Sequence, residues 1–254
     1  MDWQLIVIYI GIFLYGIVVG SFLNVCIYRL PKEESLITNG SHCMTCGAKI
    51  KKYDLIPVFS WLILRGKCRN CKAPIAWRYP FVEALNGILW CLCFWRFGFY
   101  WHTLFVMLLF SALVVVFFMD LDTQLISNYV VIFIALLAIG DYFVWDVVSI
   151  PQRLIGAVVI SVPFLIINLL SKGRAMGMGD VYLMIAGGLF LGTKATLVAG
   201  FIGIFLAAIF GMINKYVKGE SKFAFGPYLS LGIAIAAFYG TKIADMYLEF
   251  SGLA

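Results

Sequence analysis

Charged residues are scarce in this chain of 254 residues: only 13% are Asp, Glu, Lys or Arg, whereas 63% are hydrophobic. Soluble domains carry about twice that share of charge. The shortage of polar residues excludes a disordered chain, and the lack of a Gly-X-Y period excludes a collagen-like one. Together with a mean hydropathy of +0.98, the composition predicts an all-α protein that crosses a membrane several times.

Histidine is also rare, since the chain contains only His42 and His102. Serine and cysteine proteases of the common kind use a histidine base beside the nucleophile. One of these histidines lies in a polar loop and the other on the opposite side of the predicted membrane, so such a protease is disfavoured. The chain also lacks a βαβ pattern with a glycine fingerprint, and no Rossmann-type cofactor site is predicted.

Long apolar runs are abundant. A transmembrane helix needs ~20 mostly apolar residues, and the hydrophobic pattern predicts about eight such helices. The sixth is short and is interpreted as a re-entrant or tilted element. The predicted spans are residues 3–27, 81–95, 103–119, 129–145, 153–170, 181–191, 195–213 and 227–248.

The net charge of +6 is distributed unevenly. If the N-terminus lies outside and all eight segments span the membrane, 15 of the 19 Lys and Arg residues fall in the inner loops. Basic residues favour the cytosolic side, so this orientation is predicted, with the first span as an anchor rather than a cleaved signal peptide. The basic loops are interpreted as topology signals that contact lipid, not as a nucleic-acid-binding surface.

One long polar segment, residues 29–80, interrupts the apolar pattern. It contains two CxxC pairs, Cys43–Cys46 and Cys68–Cys71, with 21 residues between them. Two such pairs are typical of a tetrahedral Zn²⁺ site, and four thiolates leave no position for a reacting water. The segment therefore predicts a structural zinc site, whose metal would supply folding energy to a loop with little core.

Alternatives to zinc are two disulfides or plain thiols, which a reducing cytosolic location disfavours. His42 adjoins Cys43 and is a rival ligand, although a solvated neighbour is the simpler interpretation. The expected organisation is a first transmembrane helix at 1–28, a cytosolic zinc-ribbon-like loop at 29–80 and a seven-helix membrane core at 81–254.

Three of the 13 acidic residues lie at predicted membrane edges: Asp120, Asp122 and Asp180. In the predicted topology, Asp120 closes the third span and Asp180 opens the sixth at the same cytosolic face, so the two can meet. Two carboxylates in one site share a proton, and such a pair can activate water to hydrolyse a peptide bond. Gly177 and Gly179 would let the backbone approach an extended peptide closely.

The residues alone leave alternatives open. Asp180 at a helix N-terminus can act only as a cap, and the pattern does not choose between Asp120 and Asp122. A different class of function is a transporter or an assembly scaffold with a zinc-ribbon handle. A proton relay predicts acids spread through the membrane depth, whereas the best pair here shares one face.

Several motifs of this chain resemble those of the bacterial type IV prepilin peptidases, over nearly the whole length and in the same order. Besides the two CxxC pairs, these are GSFLNVCIYRLP at 20–31, IPVFSWL at 56–62, RYPFVE at 78–83, DLDTQLI at 120–126, GMGD at 177–180 and FGPY at 225–228. The GxGD signature also resembles that of archaeal preflagellin peptidases and presenilin-type proteases.

The resemblance implies a membrane aspartyl protease with the catalytic pair Asp120 and Asp180, and it favours Asp120 over Asp122. It implies prepilin or pseudopilin substrates in the bacterial inner membrane, cleaved after a glycine at the cytosolic face. It also implies N-methylation of the new terminus with S-adenosylmethionine as the methyl donor. The zinc-bearing loop is consistent with the bifunctional members of the family, which carry out both reactions. The chain departs from the family at Ser127-Asn128, where Pro-Asp is usual.

Overall fold

A computed structural model describes residues 3–37, 40–145, 147–174, 176–218 and 224–252. Within these ranges the protein is all-helical, as the composition predicts, and two isolated β-bridges are its only extended pairing. The α-helices are α1 Trp3–Arg29, α2 Phe59–Ile63, α3 Arg78–Phe97, α4 Trp101–Thr123, α5 Asn128–Val144, α6 Ile150–Val159, α7 Ser161–Ser171, α8 Met178–Leu191, α9 Thr193–Lys218 and α10 Gly226–Phe250.

Five helical segments in the described ranges are long and apolar enough to cross a membrane: Trp3–Lys32, Trp101–Thr123, Ile150–Ser171, Thr193–Val217 and Gly226–Phe250. The third of these consists of α6 followed directly by α7, which meet at Ile160. The helices α5 and α8 are apolar but shorter. At 14 residues, α8 is only about 21 Å long, less than a typical hydrocarbon core. A membrane protein with several spans is confirmed, but the number eight is not.

The chain divides into two compact units, Met1–Gly98 and Phe99–Ala254. In the first unit, α1 packs along α3 at places where small residues bring the backbones together. A Cβ atom on Gly16 would lie 2.7 Å from the Cα of Gly87, and one on Gly20 would lie 2.7 Å from the Cα of Glu83. Such small residues are typical of helix pairs in membranes. The predicted organisation into a first helix at 1–28, a loop at 29–80 and a membrane core at 81–254 stays a prediction.

In the second unit, α4 and α8 are the most enclosed helices. The helix α4 is apolar on all sides from Leu104 to Met119 except at Ser111, a pattern that favours burial in a core. The helix α8 packs against α5, α6, α7, α9 and α10, and a Cβ atom on Gly156 of α6 would lie 2.6 Å from the carbonyl oxygen of Gly188. Both helices carry one of the predicted catalytic aspartates, so burial of the helices places these carboxylates inside the unit.

Candidate active site and metal centre

Asp120 lies one turn before the end of α4 and is 5% exposed. The helix ends after Thr123, where Gln124 adopts a left-handed conformation and donates its N–H to the carbonyl oxygen of Asp120 at 2.9 Å. The carboxylate Oδ2 accepts the backbone N–H of Gly226 at 2.8 Å. A Cβ atom at Gly226 would lie 2.9 Å from the same oxygen, so a glycine is needed at the start of α10.

Asp180 is the third residue of α8 and is 7% exposed. Its Oδ2 accepts the N–H of Gly177 at 3.3 Å. Asp180 therefore caps the N-terminus of α8, where the positive end of the helix dipole favours a carboxylate. A Cβ atom on Gly179 would lie 2.9 Å from the Cβ of Ile126. This close approach brings the first turn of α8 against the segment that follows α4.

The two carboxylates are near enough to interact electrostatically, although 60 positions separate them in the sequence. Neither forms an ion pair with Lys, Arg or His in the described ranges. Each accepts one backbone N–H through Oδ2, which leaves Oδ1 of each for a water or a substrate. Asp122, by contrast, is exposed. Two carboxylates that share one proton can activate water for the hydrolysis of a peptide bond.

The loop preceding α8 is held by a side chain from α7. Asn168, which is 8% exposed, donates its Nδ2–H to the carbonyl oxygen of Met176 at 2.6 Å. Met176 immediately precedes Gly177, whose N–H bonds to Asp180. The amide of Asn168 therefore fixes the backbone that positions this carboxylate, and no motif in the sequence indicated it.

The four predicted zinc ligands Cys43, Cys46, Cys68 and Cys71 come together, with all Sγ atoms within 4.8 Å of one another. The Sγ atoms of Cys43 and Cys71 are 3.8 Å apart, close to the separation of about 3.8 Å that a tetrahedron of 2.3 Å Zn–S bonds requires. All four are free thiols rather than disulfides. These residues fit a zinc ion in number, chemistry and spacing.

The two CxxC pairs share one backbone pattern. In the first, the N–H of Cys43 bonds to the carbonyl of Ala48, and in the second, the N–H of Cys68 bonds to that of Ala73. Backbone N–H groups of Cys46 and Thr45 lower the pKa of the Cys43 thiol to about 6, which favours the thiolate that metals bind.

His42 is not part of this thiol cluster. Its Nδ1 lies 3.1 Å from the carbonyl oxygen of Gly40, which agrees with the simpler interpretation of a neighbouring residue. Among the residues described from 30 to 77, only Gly66 is buried. The loop therefore has almost no apolar core, and a metal would have to supply its cohesion.

A buried charged cluster lies at the other ends of α4 and α8, and no sequence pattern predicted it. Asp141 of α5 contacts His102 Nδ1 at 2.5 Å and accepts from Arg153 Nη2 at 2.9 Å. Arg153 Nη1 also donates to the carbonyl oxygens of Ala138 and Leu189 at 3.2 and 3.1 Å. The sequence placed these charged side chains at span ends, and no spacing rule pairs residues so far apart. The cluster ties the C-terminal end of α8 to α5 and α6.

Known proteins resemble both compact units. A family model of the bacterial peptidase A24 N-terminal domain matches residues 14–97, and the type IV leader peptidase family matches residues 107–212. The prepilin leader peptidase/N-methyltransferase of Xanthomonas campestris is 33% identical over 94% of this chain and 93% of its own. The protein of the same name from Legionella pneumophila is 33% identical over 95% of each chain. The one from Pseudomonas aeruginosa is 30% identical over 94% of this chain and 93% of its own.

No solved structure matches this chain significantly. The family matches fall in the same two parts of the chain that form separate compact units, and the relatives are similar over nearly their whole length. The chain therefore belongs to the type IV leader peptidase family.

Proposed function

We propose that this multi-pass inner-membrane protein is an aspartyl endopeptidase that removes the leader of type IV prepilins and pseudopilins after a glycine, and then methylates the new N-terminus. The observation that carries the proteolytic half is the buried pair Asp120 and Asp180, which has no basic partner in the described ranges and is fixed by backbone N–H groups. The relatives' names include both activities.

Proteolysis follows from the proton that the two carboxylates share. The ionised member takes a proton from water, and the protonated member donates a hydrogen bond to the scissile carbonyl. Water then attacks without a covalent enzyme intermediate, and the proton taken from it passes to the leaving amine. Gly226 holds the carboxylate of Asp120 in place for this exchange, and Gly177 does the same for Asp180.

The membrane supplies the positioning of the substrate. A prepilin has a short basic leader followed by an apolar helix, so its cleavage junction lies where lipid meets the cytosol. With the N-terminus outside, most Lys and Arg residues lie in inner loops, which is the distribution expected for cytosolic loops. In the topology that we propose, Asp120, Asp180 and the cysteine loop lie at the cytosolic face.

The zinc ion would be held by Cys43, Cys46, Cys68 and Cys71, and its role is structural because four thiolates close its coordination sphere. S-adenosylmethionine would supply the methyl group of the second reaction. The transporter or scaffold alternative gains no support, because the named relatives are peptidase/methyltransferases.

The direct test is incubation of the purified full-length protein with a prepilin and S-adenosylmethionine in detergent, followed by mass spectrometry of the product. We expect cleavage after a glycine and a new N-terminus heavier by one methyl group. A prepilin that stays intact under these conditions, while a purified relative cleaves it, would contradict the proposal.

A further inference from the structure

The first compact unit contains a buried carboxylate that forms no ion pair with the residues the structure describes. Glu83 of α3 is 9% exposed, and its Oε2 accepts the backbone N–H of Val58 at 2.7 Å. The hydroxyl of Ser21 in α1 lies close to this carboxylate and interacts with it. Within the described ranges, no Lys, Arg or His forms an ion pair with it.

The other described acids of this unit differ from Glu83. Asp54 is paired with Arg69 at 2.6 Å, and Glu33 and Glu34 are exposed to solvent. Burial of a carboxylate without a counter-charge is costly, and such groups are found preferentially where a ligand completes the site. A cationic group of a ligand would offset the charge of an ionised Glu83.

The backbone that bonds to Glu83 is strained. Val58 has φ 61° and ψ −55°, and the N–H of Phe59 bonds to the carbonyl oxygen of Pro57 at 2.6 Å to close a three-residue turn. A β-branched residue at positive φ is a rare outlier, and strain of this kind persists mainly at functional sites. The turn directs the N–H of Val58 to Glu83.

Three motifs that proteolysis leaves without a role meet at this carboxylate. Ser21 belongs to the segment 20–31, Val58 to the segment 56–62, and Glu83 ends the segment 78–83. The close approach of Gly20 to the Cα of Glu83 brings α1 to this point. A bulky residue at Gly20 would separate the two helices.

Methyl transfer to an amine needs a proton acceptor when the amine is bound as an ammonium ion. The acceptor is the α-amine of the new N-terminus, which is largely an ammonium ion near neutral pH. The ammonium must lose a proton before its nitrogen can attack a methyl group, and the donor is itself a sulfonium cation. A buried carboxylate stabilises the ammonium and can take up its proton.

We infer that Glu83 is the base of the methyl-transfer step and binds the α-ammonium group of the processed substrate. An ammonium proton passes to a carboxylate oxygen of Glu83, the N–CH₃ bond forms, and the S–CH₃ bond of the donor breaks to leave a neutral thioether. Glu83 then releases the proton to solvent. This inference rests on the proposed methyltransferase activity.

The competing role for Glu83 is a purely structural one, in which it only fastens the Val58 turn. Glu83→Gln separates the two roles, because it keeps an oxygen that accepts the N–H of Val58 but removes the charge. Glu34→Gln, an exposed carboxylate of the same unit, is the matched control. Prepilin cleavage, zinc content and methylation are measured on each purified full-length variant.

We expect Glu83→Gln to lower the methylation rate at least about 100-fold, with cleavage and zinc content within about twofold of wild type. Glu34→Gln should match wild type in all three. Methylation by Glu83→Gln at the wild-type rate would overturn the role inferred for Glu83 and leave the proposed methyltransferase activity intact. If the wild type cleaves prepilin but never methylates it, the proposed methyltransferase activity fails, and the inference fails with it.

A second measurement needs no variant. A carbodiimide joins a carboxylate to an amine in contact with it, so a peptide with the N-terminal sequence of the processed pilin should become attached to Glu83 of the wild-type protein. The same peptide with an acetylated N-terminus should not. Mass spectrometry that finds the free-amine peptide on other acids and not on Glu83 would overturn the inference.

Discussion

The two compact units hold their polar groups in place by different means. In Phe99–Ala254, enclosed helices and glycine contacts position Asp120 and Asp180, and both carboxylates are buried. In Met1–Gly98, almost none of the described residues of the polar loop is buried, and a thiol cluster takes the place of a core. Packing should therefore govern the geometry of the proteolytic site, whereas the metal and hydrogen bonds should govern the structure of the other unit. The two activities should therefore be separable.

The largest expected effect is on stability, at the charged cluster of the second unit. Arg153→Leu would leave Asp141 buried with less of its compensating charge, and breaking a buried pair costs about 3–5 kcal/mol. We expect a clearly lower melting temperature in detergent, with the zinc content unchanged. Lys242→Leu, at an exposed position, is the control and should melt like wild type. An Arg153→Leu protein of wild-type stability would show that the cluster does not hold this unit together.

Gly226→Ala tests how closely the second unit is packed around Asp120. The added Cβ atom would lie 2.9 Å from Oδ2, and a displacement of about 1 Å in an active site can cost 100-fold in rate. We expect cleavage to fall about 10- to 100-fold while the zinc content stays the same. Gly11→Ala, where nothing lies within 4 Å of the new atom, should cleave normally. Equal cleavage rates for the two variants would show that Gly226 does not position Asp120.

Cys43→Ser tests the first unit by removing one thiolate. We expect about one zinc per chain in the wild type and much less in the variant, because four thiolates are needed to close the site. Methylation should fall about tenfold, and proteolysis much less. Cys91→Ser, outside the cluster, should retain the metal. Loss of both activities to the same extent would show that the two units do not function separately.

The smallest expected effect is that of Asn168→Ala. The variant loses the hydrogen bond to the carbonyl of Met176, and one such bond contributes about 1 kcal/mol, equivalent to roughly a fivefold change in rate. Cleavage should fall by about this factor with little change in melting temperature. Asn214→Ala in α9 is the control. A fall in methylation without a fall in cleavage would contradict the assignment of this loop to the proteolytic unit.

Features encoded locally were predictable from the sequence, and features that depend on tertiary contacts were not. The apolar runs predicted an all-helical membrane protein, and the spacing of the two CxxC pairs predicted the thiol cluster. Asp120 and Asp180 were expected to meet because both lie at span ends on one predicted face. The hydrogen bond from Gly226 to Asp120 joins residues 106 positions apart, and no local pattern encodes it.

The number of spans stays a prediction, for a physical reason. Hydropathy does not distinguish a helix that is apolar because lipid surrounds it from one that is apolar because protein does. The helix α8 is short and enclosed by its neighbours, so its composition resembles that of a span. The strained turn at Val58 was equally hidden, because valine gives no local signal for a conformation with positive φ.

The most direct measurement is prepilin cleavage by purified Asp120→Asn, Asp180→Asn and Asp122→Asn. If Asp120 and Asp180 share the catalytic proton, each of the first two variants loses cleavage while retaining wild-type zinc content and stability, and the exposed Asp122→Asn variant cleaves normally. Cleavage by either Asp120→Asn or Asp180→Asn at the wild-type rate would contradict the two-carboxylate site.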